Sequence, residues 1–195
     1  MKTYYDRRAR EYDEWYLGKG RFADRERPDW DDEVAELCRA LAALPPARTL
    51  DVACGTGFLT RHLPGEVVGI DQSDSMLEEA RRQAPEADYV QGDALALPFP
   101  DTAFDRLFTA HFYGHLEGGD REGFLREARR VAAEIVIVDS ALRADVEPEE
   151  RQERILNDGS RWEVYKRYFT ADGLAGELDG GETVFAGRWF VAVRS

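Results

Sequence analysis

Three carboxylates in the first half of the chain stand at the ends of short apolar runs: Asp51 in TLDVA, Asp71 in EVVGID and Asp93 in ADYVQGD. At such a position Asp71 can accept both hydroxyls of a ribose. Asp93 can accept from an exocyclic amine while the next amide, that of Ala94, donates to a ring nitrogen. Asp51 leads into Ala53-Cys54-Gly55-Thr56-Gly57, a loop almost bare of side chains. Its two glycines let the main chain approach a ligand closely. Each acid alone has an ordinary reading, Asp51 as a turn cap and the other two as solvated strand ends. Their joint placement at consecutive strand ends specifies an adenosine.

Phosphate-centred alternatives fit this loop less well. A dinucleotide fingerprint wants a third glycine where Thr60 stands, and a phosphate-binding P-loop wants a lysine that does not follow. An acid beside the loop also suits a cationic or zwitterionic ligand better than a pyrophosphate.

Imidazole titrates near neutrality, so the three histidines are the natural proton carriers. His62 falls in the run FLTRHL, read as a helix away from the strand ends, and is assigned a structural part. His111 and His115, in TAHFYGHL, follow the fourth strand and face the ligand edge; both are candidate catalytic groups, and Tyr5 is a third. Tyr5, Tyr12, Trp15 and Tyr16 offer aromatic faces that attract a cation, although the last three could equally pack a helix.

These residues need elements to hold them. From Arg48 onward apolar runs alternate with amphipathic stretches, the pattern of a parallel sheet with helices on both faces. GETVFAG and RWFVAVRS are separated only by a tight turn and should pair antiparallel. The expected fold is a Rossmann-like α/β/α sandwich whose seven-stranded sheet is parallel except for its last strand. One domain is predicted, with a helical cap over 1–46, a ligand-binding core over 47–143, a helical lid over 144–169, and a helix with the terminal hairpin over 170–195. Ser73 or Ser75, before MLEEA, is expected to cap its helix rather than touch ligand.

The segments LDVACGTGFLTRHL, VVGIDQSDSML, YVQGDALALPFPDTAFD and FDRLFTAHFYGHL resemble the successive motifs of class I S-adenosylmethionine-dependent methyltransferases, and YYDRRAREYD is similar to the N-terminal segment of their small-molecule branch. The resemblance implies S-adenosylmethionine as cofactor, S-adenosylhomocysteine as product, and in-line methyl transfer to an O, N or C atom of a small-molecule acceptor. It implies that Asp51 to Gly57, including Ala53 and Gly55, lie under the methionine part and that Asp71 binds the ribose. Gln72 and Met76 would flank the adenine, with Asp93 and Ala94 reading its edge. Thr109 and Ala110 would line the sulfonium, with Tyr12 closing over the cofactor. Ala53 stands where glycine is common in that family.

Charge narrows the acceptor. Asp and Glu outnumber Lys and Arg 39 to 26, giving a net charge of −13 that repels nucleic acids and anionic membranes. The place of the D/N-P-P-aromatic motif of DNA amino-methylating enzymes reads TAHF, and no Pro-Cys pair is present for cytosine C5 chemistry. Cys38 and Cys54 have neither metal-ligand nor disulfide spacing, so no metal is expected and a reducing, cytoplasmic setting is. MKTYYDRRAREYD is too charged for a signal peptide. The rivals are a protein that binds the adenosyl ligand without turnover and a nicotinamide oxidoreductase, the latter disfavoured by Thr60.

Overall fold

A computed structural model describes residues 1–195. Five parallel strands form the heart of the sheet: β1 (Ala47–Val52), β2 (Gly65–Asp71), β3 (Asp88–Gln91), β4 (Phe104–Ala110) and β5 (Ala132–Ser140). After the hairpin strands β6 (Glu149–Ile155) and β7 (Arg161–Arg167), β8 (Glu182–Ala186) and β9 (Phe190–Arg194) complete the main sheet in the order β3-β2-β1-β4-β5-β9-β8. β9 runs antiparallel to both neighbours. The chain leaves β1 toward β2 on one side and returns to β4 on the other, so a crevice opens at the carboxyl ends of β1 and β4.

Both sheet faces are covered, as the uninterrupted apolar runs require. Helices α5 (Gly119–Val131) and α6 (Ala171–Glu177) press Phe124, Ala128 and Leu174 against Leu50, Ile70, Leu107 and Ile137. On the opposite face α3 (Trp30–Ala42) presents Leu37 and Leu41 to Phe108, Val136 and Val138. Burying each such leucine contributes about 1.5–3 kcal/mol. Glu33 fixes α3 to the terminal hairpin: its carboxylate accepts from the amides of Arg188, Trp189 and Phe190 at 2.9, 2.6 and 2.9 Å. Helix α4 (Asp74–Gln83) begins at Ser73, whose hydroxyl accepts the Met76 amide at 3.2 Å, the cap expected there.

Two expectations need correction. FLTRHL makes only a single 3₁₀ turn, Thr60–His62. Pro64 and the left-handed Gly65 follow too closely for a helix to grow past its costly nucleus. The stretch 144–169 carries no helix. It holds the two-stranded sheet β6-β7, paired from Glu149↔Arg167 to Ile155↔Arg161. Its mixed charge alternates with period two, and Asn157-Asp158-Gly159 sits in the five-residue turn.

The N-terminal residues form α1 (Lys2–Arg8), a 3₁₀ turn over Ala9–Glu11 and α2 (Glu14–Leu17). They lie across the glycine loop and α4, pinned by two acids. Asp6 accepts from the Ser73 hydroxyl at 2.6 Å, and Asp13 accepts from the Thr56 hydroxyl at 2.5 Å and from the Gln83 amide.

Candidate active site

Beneath that segment, at the carboxyl edge of β1, β2 and β4, lies a cavity of about 230 Å³. Its floor is main chain. Gly55 has φ +55°, and a Cβ built there would meet nothing closer than the Tyr12 ring at 3.9 Å. Asp71 forms one wall: one carboxylate oxygen accepts the Gly55 amide at 3.0 Å and the other the Ser73 amide at 2.9 Å. Burial raises this carboxyl above its usual range, and the backbone hydrogen bonds oppose that rise. Each oxygen keeps a lone pair for a ligand.

Eight of the residues expected to bind cofactor line this cavity: Tyr12, Ala53, Gly55, Asp71, Gln72, Met76, Ala94 and Ala110. Tyr5, His111 and His115 line it too. Burial holds the Tyr5 phenol well above its ordinary pKa and pushes Tyr12 up to about 12, so both keep their protons.

Four expected residues stand elsewhere. Asp51 is 2% exposed beneath the loop, where it accepts the Thr60 hydroxyl at 2.6 Å. Burial pushes its carboxyl up to about 7. Gly57, at φ +78°, packs the loop against Ala80 of α4. Thr109 is fully buried and donates to the Val52 carbonyl at 2.8 Å; the strand's alternation turns it away from the cavity that Ala110 faces. Asp93 does not line the cavity, and its carboxylate accepts the Leu95 amide at 2.9 Å in a local turn.

The two histidines differ. His111 has φ +53°, and neither ring nitrogen has a hydrogen-bond partner. Trp15 and Phe190 meet the ring edge-on at 4.9 and 5.6 Å, while Nδ1 lies 4.0 Å from Asp139. Burial lowers its pKa to about 3 despite that acid. His115 donates from Nδ1 to the Tyr165 carbonyl, and burial, with Lys166 adding, lowers it to about 3 as well. Both imidazoles are neutral. Trp15 and Tyr16 pack as core, Tyr16 stacking on Phe58 at 4.0 Å.

Residues 50–134 match the family model described as "Methyltransferase domain". Those residues are similar to a methyltransferase domain. Demethylmenaquinone methyltransferase of Thermotoga maritima is 37% identical over 107 residues, covering 52% of this chain and 44% of that one. Ajmaline N-methyltransferase of Rauvolfia serpentina is 34% identical over 128 residues, covering 57% and 43%. The chain thus spans less than half the length of these two relatives. Among solved structures, DhpI in complex with SAH superposes with a TM-score of 0.73 at 26% identity, covering 98% of this chain and 92% of that one. DhpI with SAM and HEP gives 0.74 at 25% identity, covering 99% and 94%.

Several features of this domain escaped the sequence. Asp139 stands one residue before the end of β5, near the same sheet edge at which Asp71 ends β2, a signal of similar kind. It is fully buried and accepts from the Gly114 amide at 2.7 Å and from the Lys166 ammonium. Burial would raise its pKa, but the Lys166 ammonium brings it below the ordinary value. Beyond Tyr12, His111 and His115 a second cavity of about 140 Å³ adjoins the first. Its lining comes from stretches of the chain far apart in sequence.

Proposed function

We propose that the protein transfers a methyl group from S-adenosylmethionine to a small-molecule acceptor by in-line displacement. The observation that carries this reading is Asp71, fixed by two amides at the wall of a cavity floored by bare main chain. Its remaining lone pairs suit a ribose diol. Main chain at Ala53 and Gly55 would lie under the methionine part, Gln72, Met76 and Ala94 would enclose the adenine, and Ala110 would face the sulfonium. Asp51 and Gly57 would act by shaping the loop. The Asp93 carboxylate would reach the adenine amine only through the oxygen that Leu95 leaves free.

S-adenosylmethionine, when bound, supplies a methyl carbon already activated by sulfonium. The chain's own part is to align the acceptor lone pair and exclude water. Tyr5 and Tyr12 would cover the cavity from the N-terminal segment, held down by Asp6 and Asp13. The neutral His115, its Nδ1 proton committed to a carbonyl, offers Nε2 as a base for an acceptor that must lose a proton. The relatives named for demethylmenaquinone and ajmaline, and the SAH and SAM complexes of DhpI, support this assignment.

Calorimetry with S-adenosylhomocysteine and with NAD, followed by turnover of labelled S-adenosylmethionine against metabolites, tests it. Binding of the first ligand alone, together with transfer, is expected. Binding without transfer to any acceptor would favour a non-catalytic adenosyl-ligand protein, and no binding would end the reading.

A further inference from the structure

The second cavity has an unusual charge for this chain. Its walls include Arg8, Arg25, Arg27, Arg143, Arg154 and Lys166, and no Asp or Glu, in a protein of net charge −13. These cations arrive from distant places in sequence: α1, the segment before α3, the chain after β5, and the inward faces of β6 and β7. Ordinary surface cations are interspersed with acids; here the acids are kept out.

Only two of the six are matched by a carboxylate. Arg143 pairs with Asp145 at 3.1 Å and Lys166 with Asp139. Arg8 donates to the Tyr4 hydroxyl at 2.8 Å and lies 4.5 Å over the Tyr12 ring. Arg27 donates to the Trp15 carbonyl at 2.8 Å and lies 3.8 Å over Trp30. Arg25 stacks on Phe22 at 4.7 Å. Arg154 gives one nitrogen to the Gln152 amide oxygen, while its buried Nε has no partner. Gathering unpaired guanidinium groups costs free energy through desolvation and mutual repulsion, which an anion among them would relieve. Planar forks of this kind match carboxylate and phosphate oxygens two at a time.

We propose that this cavity is the acceptor subsite of the methyltransferase and that it holds an oxyanion headgroup, phosphate-like or carboxylate, of a small molecule. The inference rests on the methyl-transfer reading. Three residues, Tyr12, His111 and His115, line both cavities, so a molecule anchored among the arginines extends toward the first cavity past the two imidazoles. The protein's overall negative charge disfavours polyanions at long range, and the cavity is sized for a headgroup. Selection of a small anion follows from the two together.

Calorimetric titration with inorganic phosphate and with acetate, each with and without S-adenosylhomocysteine, tests the site. At least one anion should bind, more weakly as sodium chloride rises. Arg154→Gln and the exposed Arg25→Gln should each weaken that binding about fivefold or more, the loss of one charge-assisted contact, while S-adenosylhomocysteine affinity stays within about twofold. Arg25 is exposed and stacks on Phe22 outside the buried core, so its substitution is expected to leave the fold intact. The phosphate and acetate arms distinguish a tetrahedral from a planar headgroup. Binding of neither anion while S-adenosylhomocysteine binds would overturn the subsite and leave methyl transfer standing, as would anion affinity unchanged in both variants. Anion binding without any S-adenosylhomocysteine binding would uphold the oxyanion site and overturn the methyl-transfer reading and, with it, the assignment as acceptor subsite.

Discussion

His115 donates its Nδ1 hydrogen to the carbonyl oxygen of Tyr165 at 2.6 Å, which fixes the tautomer from a strand of the β6-β7 hairpin. A carbonyl can only accept, so Nε2 holds the lone pair. Burial, with Lys166 adding, lowers the pKa to about 3, and the imidazole therefore stays neutral as pH falls through the mildly acidic range. If His115 is the base, the acid limb of kcat/KM should lie below about pH 5 instead of near the ordinary histidine value. His115→Gln should lower kcat about 100-fold or more while S-adenosylhomocysteine affinity changes less than about threefold. An acid limb near 6.5 in the wild type, or undiminished turnover in the variant, would remove the assignment.

Asp71→Asn keeps the side chain's shape but gives up its charge and one acceptor oxygen. The lost oxygen must come either from the ligand hydroxyls or from the amides of Gly55 and Ser73. Affinity for S-adenosylhomocysteine should fall by about 1.5–3 kcal/mol, roughly 10- to 150-fold. Calorimetry reads it directly, and a change under twofold would detach Asp71 from the ribose.

Asp71 was legible because an acid ending an apolar run must lie at the sheet edge, and His111 and His115 because they follow β4 immediately. Strand alternation decided Thr109 against Ala110, and a one-residue difference in facing is invisible in a motif. Asp93 was captured by its own turn, where a nearby amide competes with any ligand. The arginine-lined cavity is a different case. Arg8, Arg27 and Arg154 are brought together only by tertiary packing, and within β6 and β7 the acids Glu153 and Glu163 on the outer face masked Arg154 and Lys166 on the inner one. A period-two reading of GluGluArgGlnGluArgIle would have separated those faces.

Ala53 occupies the left-handed region at φ +56° in the wall of the first cavity. A Cβ in that conformation costs roughly 1–2 kcal/mol, partly offset by the greater freedom that glycine has in the unfolded chain. Ala53→Gly should therefore stabilise the protein by about 0.5–1 kcal/mol in denaturant unfolding. A loss of stability would show that the Ala53 methyl makes packing contacts worth more than the strain.

Asp51 gives the fold a pH dependence of unusual sign for a carboxylate. Its folded-state pKa, about 7, lies above the ordinary 3.8, because burial outweighs the Thr60 hydrogen bond and the charge of Asp71 adds to the rise. Below pH 3.8 both states hold the proton and its contribution is complete. As pH climbs from there toward 7, the unfolded chain releases the proton while the folded one retains it, and stability falls by up to about 1.4 kcal/mol per unit. His111 and His115 act oppositely, since their lowered pKa values make stability rise between about 3 and 6.5. The difference between wild type and Asp51→Asn isolates the carboxyl. The asparagine oxygen can still accept from Thr60, so the variant should gain on the wild type as pH rises through that window and keep a constant margin above it. Parallel stability curves across the window would mean that Asp51 stays ionised beneath the loop.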